Sequence, residues 1–85
     1  MTTRQQALTQ ILCKITQASD MDKFLNDILT PAEYQDIATR VHILSLAKQG
    51  KSASEISKSA GVWLSTAQRW INVYQKGTGI CTKIL

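Results

Sequence analysis

The most constraining feature of the sequence is a pair of helix-start signals, each followed by a glycine at which the helix must stop. In the first, Thr30 and Glu33 have the spacing of a capping box, and Pro31 occupies the first helical position. Gly50 supplies the left-handed residue that ends this helix. The signal predicts one long helix between Thr30 and Gly50.

The second signal follows almost immediately. Ser52 and Glu55 repeat the capping-box spacing, so a short helix is predicted to start at Ser52 and to reach only about residue 60, because Gly61 follows. Another helix is predicted from about Leu64 to residue 75 or 76. Two short helices therefore meet at Gly61 with hardly any loop between them.

Apolar residues recur at helical spacing along the rest of the chain, and no segment alternates with the period of two typical of a strand. Two amphipathic helices are predicted before residue 30, and Ser19 or Asp20 can cap the second. The predicted buried stripe of the third helix comprises Ile37, Val41, Leu44 and either Ala47 or the stem of Lys48, flanked by Tyr34 and Ile43. The 77–85 tail is left unplaced. The chain is predicted to be all-α, with five helices.

Length and composition limit the possible classes of protein. A chain of 85 residues fits one small domain whose core is marginal, so we expect a homodimer. Residues 1–50 are predicted to form a helical dimerisation core, 52–76 a helix-turn-helix and 77–85 a tail. Cys13 and Cys81 lack the spacing of a zinc site, so no metal is expected. Without a membrane-spanning run or a signal peptide, we expect a cytoplasmic protein with no membrane partner.

Charge is distributed unevenly along the chain. Residues 1–36 carry three basic and five acidic side chains, a net charge of −2, whereas residues 37–85 carry seven basic and one acidic, a net charge of +6. Such asymmetry is typical of a chain whose second half binds a polyanion, but a solvated helix surface would show the same charges. Charge alone leaves both interpretations open.

The segment SASEISKSAGVWLSTAQRW, residues 52–70, has the pattern of a helix-turn-helix. Two short helices that cross steeply need a buried apolar residue, small residues at their contact and a glycine turn. Suitable residues fall at the required positions: Ile56, Ser57, Gly61, Val62, Ala67 and Trp70. Trp63 stands where such turns place a capping serine or threonine, and an indole cannot cap. It either makes an apolar contact to the groove, for example to a thymine methyl, or packs between the helices, and of the two we expect packing.

The second helix of this pair has a polar outer face. If its inner face holds Ala67, Trp70, Ile71 and Tyr74, its outer face holds Ser65, Gln68, Arg69 and Asn72. Because a helix fits the major groove, Arg69 is predicted to pair with guanine and Gln68 or Asn72 with adenine. Leu64 is left open between groove contact and packing. The predicted DNA-binding residues are Lys51, Ser54, Lys58, Leu64, Ser65, Thr66, Gln68, Arg69 and Asn72.

Six features recur in order between residues 29 and 72: LTPAE, ATRVHIL, the glycine at residue 50, SEI, Gly61 and STAQR. In these features the chain resembles the tryptophan-repressor family of bacterial DNA-binding proteins. The resemblance implies a five-helix, all-helical subunit in an intertwined homodimer. It further implies a transcriptional repressor that reads a palindromic operator in double-stranded DNA.

The resemblance also implies a corepressor pocket, whose residues in this chain are Leu29, Thr30, Arg40 and Arg69. Trp70 departs from the family, which has a glycine there so that the indole of free tryptophan lies against bare backbone. Val73 departs as well, since a hydroxyl at that position helps to hold the ligand. No cofactor is assigned. L-tryptophan remains a candidate corepressor, although Trp70 would fill the volume it needs, and Trp70 is interpreted as a built-in indole.

The sequence therefore predicts a sequence-specific, dimeric DNA-binding regulator that acts as a repressor. Two alternatives stay open, the DNA-recognition module of a transposase-like system and a helical protein-interaction module with an incidental basic surface. No enzymatic activity is predicted, because His42 lacks a nucleophile and an orienting acid at a suitable spacing.

Overall fold

The computed structural model describes all 85 residues, and every regular element in it is a helix. The helices are α1 (Thr3–Lys14), α2 (Ala18–Ile28), α3 (Pro31–Lys48), α4 (Ala53–Ala60), α5 (Leu64–Lys76) and α6 (Ile80–Ile84). The predicted all-α class is confirmed, and the tail that the sequence left unplaced contains the short helix α6. The chain divides into two compact units, Met1–Tyr34 and Gln35–Leu85.

In the first unit, a capping box starts α1, with Gln5 N–H donating to Thr2 Oγ1 at 3.1 Å and Thr2 N–H donating to Gln5 Oε1 at 2.8 Å. The prediction that Ser19 or Asp20 caps α2 is wrong. The helix begins earlier, at Ala18, and its N-cap residue Gln17 makes no side-chain capping bond. Asp20 lies instead in the first turn, where its negative charge favours the helix dipole.

The boundaries of α3 and α4 follow the predicted caps. Glu33 N–H donates to Thr30 Oγ1 at 3.2 Å, and Glu55 N–H donates to Ser52 Oγ at the same distance. Gly61 ends α4 in the left-handed region at φ 66°. Because this conformation is strained for side chains with a Cβ, a glycine is required at the turn between α4 and α5.

The second unit is built around three fully buried side chains, one each from α3, α4 and α5. Ile43 of α3, Ile56 of α4 and Ala67 of α5 are each 0% exposed. Partly buried apolar residues surround them: Leu46, Ala47, Ala53, Ala60, Val62, Trp70 and Ile71. This core packs α4 against α5 and fixes the outward direction of the opposite face of α5.

The predicted buried stripe of α3 is partly wrong. Ile37 and Val41 are 42% and 47% exposed, whereas Ile43, predicted to flank the stripe, is fully buried. Apolar residues are distributed around α3, so periodicity did not identify a single face. The face that packs on α4 and α5 carries Ile43, Leu46 and Ala47, which are spaced as neighbours on one side of a helix.

The prediction that Trp63 packs between the helices is also wrong. Its side chain is 83% exposed at the N-cap of α5, where it makes no side-chain capping bond. Val62, predicted to lie at the contact between the two helices, packs against the core. The Ser57 hydroxyl donates to the Val62 carbonyl at 2.6 Å, which ties the end of α4 to the segment before α5.

Ile56→Ala is expected to lower the free energy of unfolding by about 2–5 kcal/mol, because it leaves a cavity at the centre of the core. Trp63→Ala is the control and should change it by less than about 0.5 kcal/mol, because the indole is exposed. Urea denaturation followed by circular dichroism measures both. Equal reductions for the two variants would contradict this description of the core.

The Glu55 carboxylate accepts a hydrogen bond from the Ser52 backbone N–H, and this bond is the main reason that the pKa of Glu55 is lowered. The hydrogen bond with the Ser52 hydroxyl lowers the pKa further. The cap therefore stabilises α4 above the ordinary pKa of glutamate, about 4.3, and its contribution is lost as the pH falls through the lowered value. A ¹³C titration of the Glu55 carboxyl should give a midpoint below about 4.3. In Glu55→Gln, which retains the box with a neutral amide, less stability should be lost on acidification. A normal midpoint would count against the capping box.

Candidate nucleic-acid interface

The outer face of α5 presents four polar side chains to solvent. Ser65, Gln68, Arg69 and Asn72 are all exposed. Gln68 Nε2 donates to Asn72 Oδ1 at 3.1 Å, which joins the two amides one helical turn apart. The remaining amide donor of Gln68 and the –NH₂ of Asn72 stay available, so the face offers several hydrogen-bonding groups.

The other predicted DNA-contacting residues lie beside this face or on α4. Lys51 precedes α4, Ser54 and Lys58 lie on it, and all three are exposed. Leu64, at the start of α5, is 56% exposed. Thr66 differs from the others because it is half-buried and lines a cavity.

That cavity lies between α3 and α5 in the second unit and has a volume of about 310 Å³. Its lining comprises Asp36, Thr39, Arg40, Ile43, Val62, Thr66, Arg69 and Trp70. The α3 residues among them are spaced as one face of a helix. The sequence analysis did not identify Asp36 and Thr39 as lining residues. The available signal was their spacing to Arg40, which places all three on one face of α3.

Two guanidinium groups lie over the indole of Trp70. Arg40 Cζ is 5.1 Å and Arg69 Cζ is 5.4 Å from the ring centroid, both within cation–π range. This arrangement, the Arg40–Trp70–Arg69 cluster, joins α3 to α5. Sequence reasoning placed both arginines in a ligand pocket and Trp70 in the ligand's place, but it did not predict that they stack on each other.

The four residues that the family resemblance implies to be ligand-binding do not all belong to one unit. Arg40 and Arg69 meet at Trp70 in the second unit. Leu29 and Thr30 belong to the first unit, where the Thr30 hydroxyl accepts a hydrogen bond as the N-cap of α3. Val73 is 39% exposed on α5.

Other kinds of site are not evident in the structure. No group of three or more His, Cys, Asp or Glu side chains is arranged to hold a metal ion. No helix combines the length and apolar character needed to cross a bilayer. Cys13 and Cys81 are both free thiols.

The structure defines the chain as a helix-turn-helix protein. The helices α4 and α5 are short, a left-handed glycine lies between them, and the second helix has an exposed polar face. The family model described as Trp repressor protein matches residues 3–85. The chain therefore belongs to the Trp repressor family, a family of DNA-binding regulators and not of enzymes. No curated protein and no solved structure matches the chain.

Proposed function

We propose that this protein is a sequence-specific regulator of transcription that binds double-stranded DNA as a homodimer and represses by occluding its operator. The observation that carries the proposal is the outer face of α5, where Ser65, Gln68, Arg69 and Asn72 are exposed together. Guanidinium and amide groups are the side chains that pair with guanine and adenine in the major groove. We call α5 the recognition helix.

Basic side chains around the recognition helix support phosphate contact. Lys51 and Lys58 are exposed on the connection before α4 and on α4 itself, and Lys76 ends the recognition helix. Lysines at these positions can neutralise phosphates on either side of the groove that α5 enters. Their contribution is independent of base sequence, whereas that of Gln68 and Arg69 depends on it.

A second copy of the chain is supported by the small core and by the apolar side chains that remain exposed. No residue of the first unit is buried, and the second unit buries three residues fully. Large apolar residues are exposed in both units: Leu8, Ile11 and Ile28 in the first, and Ile37, Val41, Val73, Ile80 and Ile84 in the second. Covering such surface with a symmetric partner stabilises a small chain and presents two recognition helices to a palindrome.

Gln68→Ala and Arg69→Ala are each expected to weaken binding to the preferred duplex by about 1–3 kcal/mol and to relax the base preference at one position per half-site. The duplex is first selected from a random pool with the wild-type protein, and affinities are measured by fluorescence anisotropy. Gln10→Ala, the same change on α1, is the control and should bind as the wild type does. If both recognition-helix variants bind every duplex like wild type, the assigned face is wrong.

Lys58→Ala is expected to weaken binding to all duplexes by the same factor, because the lysine neutralises a phosphate. The slope of log affinity against log salt should become shallower by about 0.9, the value for one phosphate. Lys23→Ala, in the first unit, is the matched control and should leave the slope unchanged. An unchanged slope for Lys58→Ala would remove this lysine from the interface.

Duplex selection and sedimentation analysis separate the alternative classes. A helical protein-interaction module would bind through apolar contacts, and wild-type protein would then select no duplex. A recognition module of a transposase-like system would select a duplex, but it would not require two copies of the chain on a palindrome. Two chains per selected palindromic duplex in sedimentation analysis would support the dimeric regulator.

A further inference from the structure

The recognition helix is attached to the rest of its unit by few large side chains. It shares with α4 and α3 a core to which it contributes one fully buried residue, the small Ala67. Its larger inward residues, Trp70 and Ile71, are only half-buried. The angle at which α5 presents its outer face therefore depends strongly on the packing of Trp70.

The Arg40–Trp70–Arg69 cluster provides such packing, since it runs from α3 to α5. A guanidinium over an indole face is held by electrostatic attraction and by close packing, and tryptophan is the best ring for this purpose. Arg40 lies on α3, so its interaction ties the recognition helix to a second element besides α4. Arg69, which neighbours Trp70 in sequence, is held over the same ring while it stays exposed on the outer face.

We infer that Trp70 is a positioning residue that holds the recognition helix in its DNA-binding orientation without a small-molecule effector. The inference rests on the proposed DNA-binding function and adds that DNA binding needs no small-molecule effector. The indole is part of the chain, so it occupies the space beside Arg40 and Arg69 in every molecule. DNA binding is therefore not weakened by a fraction of molecules that lack a ligand.

The Arg40–Trp70–Arg69 cluster also forms part of the wall of the cavity. The indole already receives both guanidiniums. A second aromatic ring could take the guanidinium faces that Trp70 occupies only by displacing it. Preorganisation by an attached group has the same effect on affinity as a bound ligand present at saturating concentration.

The first test measures DNA binding. Wild-type protein is unfolded in guanidinium chloride, dialysed and refolded to remove any bound molecule, and its affinity for the selected duplex is compared with that of untreated protein, with and without L-tryptophan. All of these affinities should be equal. If stripped protein binds more weakly and L-tryptophan restores its affinity, the inference is overturned while the proposed function stands.

Substitutions then test the cluster. Trp70→Leu keeps an apolar side chain but no ring and should bind about 5- to 30-fold more weakly, the factor expected for removing two partly exposed cation–π interactions. Trp70→Phe should lie in between, and Arg40→Gln should show part of the same reduction. Tyr74→Leu removes a ring from the same helix and should bind as the wild type does. Wild-type affinity in both Trp70→Leu and Arg40→Gln would overturn the inference.

A fluorescence measurement decides the packing of Trp70 without DNA. It uses Trp70→Leu only as a reference whose single indole, Trp63, is exposed whether or not that variant folds. In Trp63→Phe, Trp70 is the single indole, and acrylamide should quench it less than it quenches the exposed Trp63 of Trp70→Leu. Adding Arg40→Gln should increase the quenching of Trp70. If Trp70 is quenched as readily as Trp63, the inference fails. If the wild type selects no duplex although Trp70 is shielded, the proposed function fails and the positioning role of the cluster within the fold is retained.

Discussion

Three side chains in mutual contact hold the helix-turn-helix together. Ile43, Ile56 and Ala67 come from three different helices and are the fully buried residues of the chain. Their contact requires α4 and α5 to cross closely, which is possible because Ala67 is small and because Gly61 turns the chain in the left-handed region. The polar residues of α5 face solvent as a direct consequence, since they lie opposite Ala67 on the helix.

Helix ends were predictable where a side chain satisfies the backbone, and less so elsewhere. The boxes at Thr30 and Ser52 and the stop at Gly61 are local signals that depend on a few neighbouring residues. The start of α2 was missed because Gln17 makes no capping bond, so no side chain marked the position. The face of α3 was missed because apolar residues on several sides leave periodicity ambiguous, and only the tertiary contact with α4 and α5 selects Ile43.

The candidate site, like the helix ends, was predictable where it depends on one helix and not where it depends on contacts between helices. The exposed positions of Gln68, Arg69 and Asn72 follow from the period of one helix once its buried residue is known. Trp63 was placed wrongly because burial of a large aromatic was assumed, whereas Val62 fills the position beside the core. The stacking of Arg40 on Trp70 joins residues 30 positions apart, and no local pattern reports such an interaction.

Arg69 has two roles under the proposed function, and that duality constrains how the protein can diverge. Its guanidinium packs on Trp70 while the residue stays exposed on the outer face of α5. A substitution there would alter both the proposed base contact and the support of the helix. Gln68 and Asn72 bond to each other, so under the same function new operator preferences would arise at these two amides while the scaffold is left intact.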